Sequence, residues 1–187
     1  MTLSANDTAL VLVDIQNDYF PGGRMVLSGP EAAAERAAAL LARAREAGRP
    51  VIHVRHEAAR PGATFFLPGT EGAAIHPAVA PLPGEAVVLK HFPNSFRGTD
   101  LQARLDGLGV KRILLAGMMT HMCIDATARA AFDLGYGVTL VADACATRDL
   151  TGPDGRVVAA ADVHAAFLAA LGAGYVELTD AARLAQA

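Results

Sequence analysis

Three polar residues follow apolar segments of the chain, and together their side chains could perform nucleophilic catalysis. Asp14 follows the apolar run 9–13, Lys90 follows the run 86–89, and Cys123 lies between an apolar run and an alanine-rich stretch. A thiol at the start of a helix is close to the positive end of the helix dipole, which favours the nucleophilic thiolate. Most free cysteines are small buried hydrophobic residues, so Cys123 by itself allows either interpretation.

The positions of these residues predict that they meet in space. In an open parallel sheet, ligands bind outside the carboxyl ends of the strands. We therefore expect the carboxylate, the ammonium and the thiol to converge on one edge of a sheet. The sulfur of Cys123 could then attack an acyl carbon. Asp14 could accept the thiol proton and return it to a leaving group, while Lys90 could stabilise the thiolate and keep Asp14 ionised.

Strand-like and helix-like segments alternate along the whole chain. Glycine follows several of the alanine-rich stretches at the point where a helix would end, for example at Gly48 after residues 31–47. Residues 157–171 also have a helical pattern, and a short strand is predicted at 175–178. This alternation is typical of an α/β domain in which helices cover both faces of a parallel sheet. Residues 57–84 are rich in glycine and proline, and a connection of this length is often a functional lid.

Composition indicates one soluble globular domain, residues 1–187. The chain has 187 residues, of which 52% are hydrophobic, a net charge of −3 and a pI near 6.0. This charge excludes the basic surface that nucleic-acid binding requires. Apolar runs are too short to span a membrane, and the N-terminus shows no secretory pattern. We therefore expect a cytoplasmic protein, with Cys123 and Cys145 as reduced thiols.

Three blocks of the sequence resemble those of the isochorismatase-like superfamily of cysteine hydrolases, which includes the nicotinamidases. They are VDIQNDYFPGG at 13–23, the segment 89–96 that contains Lys90, and GMMTHMC at 117–123. The blocks occur in the order found in this superfamily, and the resemblance covers nearly the whole chain. It implies a single-domain three-layer α/β/α sandwich, with a mostly parallel six-stranded sheet in Rossmann-like order.

The resemblance also implies a catalytic mechanism. Asp14, Lys90 and Cys123 correspond to the catalytic triad, which acts through a covalent thioester. A cis peptide bond precedes Met119 in this arrangement, and the backbone amides of Met119 and Cys123 form the oxyanion hole. No organic cofactor is expected.

Several side chains near the predicted edge could line a small-molecule pocket with apolar walls and few polar groups. Each could instead serve core packing or a surface ion pair. His121 is two residues from Cys123, and residues two apart on a helix point in different directions, so these side chains are not expected to pair. The predicted substrate-binding residues are Gln16, Phe20, Arg55, Phe66, Asn94, Phe96 and His121.

A metal site is a weaker interpretation. Nicotinamidases bind a metal through an Asp-x-His pair after the second strand, and here that place reads HVRHE at 53–57. We therefore predict no bound metal. His56, Glu57 and His76 remain the alternative ligand set, because histidine and carboxylate side chains bind zinc.

These observations predict a cysteine-dependent amidohydrolase that cleaves a carbon–nitrogen bond of a small amide, ureide or lactam. An isochorismatase-type vinyl-ether hydrolase, whose chemistry needs no thiol, is the alternative enzyme. A non-catalytic binding scaffold on the same fold is the alternative outside catalysis. Apolar side chains between residues 65 and 79 further predict a homo-oligomer with this loop at or near the interface.

Overall fold

The computed structural model describes residues 7–185, which form a six-stranded parallel sheet with helices on both faces. The strands of this sheet are β1 (Thr8–Val13), β2 (Val51–His56), β3 (Ala86–Lys90), β4 (Arg112–Met118), β5 (Gly137–Ala146) and β8 (Glu177–Thr179). Their order across the sheet is β3-β2-β1-β4-β5-β8. The chain builds outward from β1 to β3 and then returns to place β4 on the other side of β1. The carboxyl ends of β1 and β4 therefore flank the point where the strand order reverses, which is where open sheets bind ligands.

Two helical layers cover the sheet. The helices are α1 (Pro30–Glu46), α2 (Leu101–Gly107), α3 (Asp125–Asp133), α4 (Ala160–Gly172) and α5 (Ala181–Ala185). Because side chains alternate along a strand, Leu10 and Leu12 join the core beneath α1, whereas Val11 and Val13 join the core beneath α2 and α3. The predicted three-layer α/β/α fold is confirmed.

Several predicted elements have different bounds in the structure, and the strand predicted at 175–178 is β8, which begins at Glu177. The helix predicted over 157–171 begins at Ala160, because Val157–Val158 form strand β7 and pair with strand β6 (Leu150–Thr151) in an antiparallel hairpin. Strand β5 continues to Ala146 rather than ending near residue 141. Its extension pairs with Gly117 and Met118 of β4 beyond an irregularity in the register.

The long connection 57–84 packs against the sheet edge and contains two short 3-10 turns, Glu71–Ala73 and Pro77–Val79. The His76 amide donates to the Ile15 carbonyl over 2.9 Å, and Ile75 forms a β-bridge with Gln16. Phe66 and Val79 are buried in the core of this face. Phe65, Leu67 and Ile75 of the same loop are only half-buried. A homo-oligomer with this loop at or near the interface therefore stays a prediction.

Within residues 7–185, no helix combines the length and apolarity that crossing a membrane requires.

Candidate active site

Lys90 lies at the centre of a buried polar cluster at the carboxyl edge of the sheet. Its ammonium Nζ is 2.6 Å from Asp14 Oδ2 and 3.3 Å from Cys123 Sγ. Asp14 and Lys90 are completely buried, and Cys123 is 4% exposed. The structure thus brings together the three residues that the strand-end argument placed at this edge.

Local backbone geometry positions each member of the cluster. Asp14 directly follows β1 with a φ of 53°, in the left-handed region, and its amide donates to the Val54 carbonyl over 2.9 Å. Lys90 is the last residue of β3. Cys123 lies in a π-helical turn, Thr120–Ile124, that leads into α3. Lys90 lies at the end of β3, Asp14 lies in the sharp turn after β1, and Cys123 lies in the turn that leads into α3. All three side chains therefore face the same edge of the sheet.

The connection from β4 to Cys123 contains unusual backbone geometry. The Met118–Met119 peptide bond is cis, as the superfamily resemblance implies. Gly117 has a φ of 134°, and a Cβ at this position would overlap the Val13 carbonyl of β1. Glycine is therefore required where β4 passes closest to the strand that leads into Asp14.

Burial determines the resting protonation of Cys123. Burial, followed by the negative charge of Asp14, raises the pKa of Cys123, while Lys90 opposes this change. The expectation that the helix start favours the thiolate therefore does not hold for the resting site, because desolvation penalises the charged sulfur. Burial also lowers the pKa of Lys90, but the interactions of its ammonium with Asp14 and Cys123 outweigh this effect and raise that pKa overall. The resting site is thus an ammonium–carboxylate pair beside a neutral thiol.

His56 is a fourth member of the cluster. Its Nδ1 is 3.0 Å from Lys90 Nζ. Burial, together with the charge of Lys90, lowers the pKa of His56 to about 4, so the imidazole is neutral at neutral pH. The sequence argument considered this residue only as a metal ligand. A sequence signal did exist, because His56 and Lys90 each end a strand, but their adjacency depends on β2 and β3 being neighbours.

Donor atoms of Asp14, His56 and Cys123 lie within 4.8 Å of one another, a separation that could suit a metal ion. The Lys90 ammonium contacts all three residues and therefore already supplies a positive charge among them. Among the residues that the structure describes, the alternative set His56, Glu57 and His76 does not converge. Glu57 pairs instead with Arg55 over 3.0 Å, and the His76 ring stacks on another side chain.

The polar residues predicted to bind substrate mostly contact the protein itself. Gln16 is completely buried, and its carboxamide hydrogen-bonds the backbone at His56 and Ala73. Arg55 pairs with Glu57, and the alternation of side chains along β2 directs it to the sheet face opposite His56. Asn94 accepts a hydrogen bond from the Phe96 amide over 2.9 Å, as a turn-capping residue does.

The predicted aromatic residues and His121 occupy different surroundings. Phe66 is buried near the cluster, with its ring 5.9 Å from the His56 ring. Phe20 stacks on His76 at 3.7 Å, and Phe96 stacks with Tyr136 in the core beneath α2 and α3. His121 Nδ1 pairs with the Thr147 hydroxyl, while its Nε2 is buried without a partner. Phe66 thus lies beside the cluster, and His121 retains an unused polar atom.

Asp18 holds the long connection 57–84 in place and is not part of the buried cluster around Lys90. Its carboxylate accepts hydrogen bonds from the amides of Arg24, over 3.1 Å, and of Phe66, over 2.6 Å. A Cβ at Gly72 would overlap this carboxylate, so the loop must pass close to it. Phe66 has a φ of 53°, and this bond fixes its backbone beside His56. Asp18 therefore acts on the surroundings of the cluster indirectly, through the position of Phe66.

Comparison with known proteins agrees with the geometry of this site. Residues 8–182 match the isochorismatase domain family. A crystal structure of an isochorismatase hydrolase from Oleispira antarctica superposes with a TM-score of 0.93 and 54% identity, covering 100% of both chains. The isochorismatase family protein YddQ of Bacillus subtilis is 52% identical, over 93% of this chain and 97% of that protein.

A more distant relative has an assigned activity. The maleamate amidohydrolase of Pseudomonas putida is 33% identical over 154 residues, which cover 75% of this chain and 72% of that enzyme. The family match extends over nearly all the described residues and includes every member of the buried cluster. The chain therefore belongs to the isochorismatase family of hydrolases.

Proposed function

We propose that this protein is a cysteine-dependent amidohydrolase that cleaves a carbon–nitrogen bond of a small molecule through a thioester intermediate. The observation that carries this proposal is the placement of the Lys90 ammonium, 2.6 Å from Asp14 and 3.3 Å from the Cys123 thiol, in a buried site. The Asp14 carboxylate and the Cys123 sulfur lie within 4.8 Å of each other, which supports a carboxylate base acting beside a sulfur nucleophile.

In the proposed acylation step, Cys123 Sγ attacks the carbonyl carbon while Asp14 accepts the thiol proton. Since the pKa of Cys123 is raised by burial and by Asp14, this proton must leave as the carbon–sulfur bond forms. The backbone amides of Met119 and Cys123 would stabilise the developing oxyanion. Asp14 then donates the proton to the departing nitrogen, and the carbon–nitrogen bond breaks to leave a thioester.

In the deacylation step, water attacks the thioester while Asp14 accepts its proton. The carbon–sulfur bond breaks, the sulfur recovers the proton, and the product is a carboxylic acid. Lys90 remains an ammonium throughout, because the adjacent negative charges raise its pKa. Its charge compensates whichever of Asp14 or Cys123 is negative at each step.

The relative named as an amidohydrolase supports a carbon–nitrogen substrate. The buried cluster suits a small ligand, and the aromatic ring of Phe66 supplies an apolar wall beside it. Candidate substrates are ureido acids, biuret-like compounds, simple carboxamides and lactams.

The test is a screen of these compounds for release of ammonia or amine, with Cys123→Ala and Cys145→Ala as matched variants. Both cysteines are buried, and neither is in a disulfide. We expect Cys123→Ala to reduce turnover by on the order of 10³-fold or more, and Cys145→Ala to retain most of it. A thioester on Cys123 should be detectable by mass spectrometry after rapid quenching. Equal release of ammonia or amine by the two variants would contradict the proposal, because it would show that the hydrolysis does not depend on the Cys123 thiol.

A further inference from the structure

The Lys90 ammonium has three N–H bonds, and three acceptors surround it. Two of them, Asp14 and Cys123, belong to the proposed triad. The third is Nδ1 of His56, at 3.0 Å. An ammonium on a flexible four-carbon side chain takes its position from the acceptors around it. Without His56, one N–H bond of a fully buried cation would lose this partner, and the cation would be free to rotate away from the sulfur.

The imidazole is itself held at this place by the backbone. His56 is aligned with Lys90 at the last register position between β2 and β3. The His56 amide donates to Gln16 Oε1 over 2.8 Å, and Gln16 Nε2 donates to the His56 carbonyl over 2.8 Å. A single buried carboxamide therefore fixes both backbone polar groups of His56. The Phe66 ring packs 5.9 Å from the imidazole and further limits its movement.

The charge environment makes His56 an acceptor. The groups that act on it are Lys90, Asp14 and His91, and burial is the strongest influence. Burial and Lys90 disfavour a second positive charge, so the neutral imidazole is the stable form. Because Nδ1 faces the ammonium, its lone pair accepts and the ring proton is on Nε2.

We propose that His56 is a positioning residue of this active site: its Nδ1 accepts a hydrogen bond from Lys90 and holds the ammonium between Asp14 and Cys123, and Gln16 holds His56. This proposal deepens the proposed function, since it assigns the support of the same triad. It also gives Gln16 a structural task in place of the predicted contact with substrate.

The test compares two substitutions of His56, one that keeps a hydrogen-bond acceptor and one that does not. Asparagine can place its Oδ1 near the position of histidine Nδ1, and leucine has nearly the same shape without an acceptor. We would measure the rate at which iodoacetamide alkylates Cys123 in wild type, His56→Asn and His56→Leu, from about pH 6 to pH 10, by peptide mass spectrometry. Cys145 in the same samples reports any general loosening of the fold. Thermal melting shows that each variant is folded.

We expect His56→Leu to shift the alkylation profile to higher pH by about one unit, which is a tenfold loss of rate near neutral pH, because Lys90 no longer stabilises the thiolate from a fixed position. His56→Asn should keep a profile close to wild type. An unshifted His56→Leu profile would overturn the proposal, and so would equal shifts in both variants, because a packing role would not distinguish asparagine from leucine. Alkylation needs no substrate. A failure of this proposal is therefore distinguishable from a failure to find amide hydrolysis.

Discussion

At the scale of single residues, the Lys90–Asp14 pair dominates the electrostatics of the site. Both side chains are completely buried, and their charged atoms are 2.6 Å apart. The free-energy penalty of removing two charges from water offsets much of their attraction, so such a pair contributes little net stability. Removing one partner is different, because it leaves the other charge buried and uncompensated. The pair is therefore a feature of the candidate active site that the fold must also maintain.

This asymmetry gives a prediction for Lys90→Met, which keeps the length of the side chain and removes the charge. We expect it to lower the free energy of unfolding by about 3 kcal/mol, because Asp14 would be left buried and unpaired. In the double variant with Asp14→Asn, the loss should be smaller than the sum of the two single losses. Urea unfolding at neutral pH would measure the free energy of unfolding of both single variants and of the double variant.

Lys111→Met is the matched control for this experiment, since Lys111 is exposed. Its substitution should change the free energy of unfolding by less than about 0.5 kcal/mol. Strictly additive losses in the Asp14 and Lys90 variants would show that the two side chains are not coupled.

At the scale of elements, Glu85 connects the start of β3 to α1 and β2. Its carboxylate pairs with Arg45 of α1 over 2.7 Å and with His53 of β2 over 3.0 Å, and it accepts a hydrogen bond from the Leu82 amide over 2.8 Å. The hydrogen bond from Arg45 is the main reason that the pKa of Glu85 falls to about 2. This junction fixes the edge strand that carries Lys90.

The lowered pKa predicts a pH-dependent contribution to stability. A carboxyl group whose pKa is lower in the folded state stabilises the fold above its ordinary pKa, here 4.5, and loses this contribution as the pH falls toward 2. Glu85→Gln should therefore cost about 1–2 kcal/mol near pH 7, since solvent screens part of the interaction, and clearly less near pH 3. Urea unfolding at both pH values checks this, with the exposed Glu35→Gln as control. If the loss of unfolding free energy caused by Glu85→Gln were larger near pH 3 than near pH 7, the prediction would be refuted.

At the scale of the whole molecule, one exposed apolar surface lies around α4. Helix α4 is almost entirely apolar in sequence, and Ala165 and Ala169 are among its exposed residues. Met122 and Phe132, on the elements that pack beside α4, are 40% and 47% exposed. Exposed apolar surface of this kind often forms a contact between subunits. This surface is a second candidate for the subunit contact that the sequence placed at the loop 57–84.

We predict that the protein forms a symmetric homo-oligomer through the α4 surface. Light scattering at micromolar concentration should return a multiple of the 19.3 kDa chain mass. Ala165→Glu should shift the mass toward one chain, because it places a charge on the apolar surface. Ala39→Glu, an exposed position on α1, should leave the mass unchanged. A single-chain mass for wild type in an active sample would contradict the prediction.

The sequence by itself determined the parts of this protein that depend on local pattern. Alternating strand and helix segments specify a parallel sheet, and carboxyl ends of parallel strands share one edge. Asp14 directly follows one such strand, Lys90 ends another, and Cys123 lies in the helical turn after a third, so their convergence followed from chain position alone. Asp18 lies only four residues beyond Asp14, but its bonds to loop amides could not be derived from that spacing.

The tertiary structure decided the features that depend on register and burial. His56 contacts Lys90, while the neighbouring Arg55 faces the other side of the sheet, because strand side chains alternate and β2 pairs with β3 in one register. Burial, rather than the helix dipole, sets the direction of the pKa change of Cys123. Gln16 reaches His56 across 40 positions of the chain. Such contacts join residues far apart in sequence, and local patterns carry no information about the distance between them.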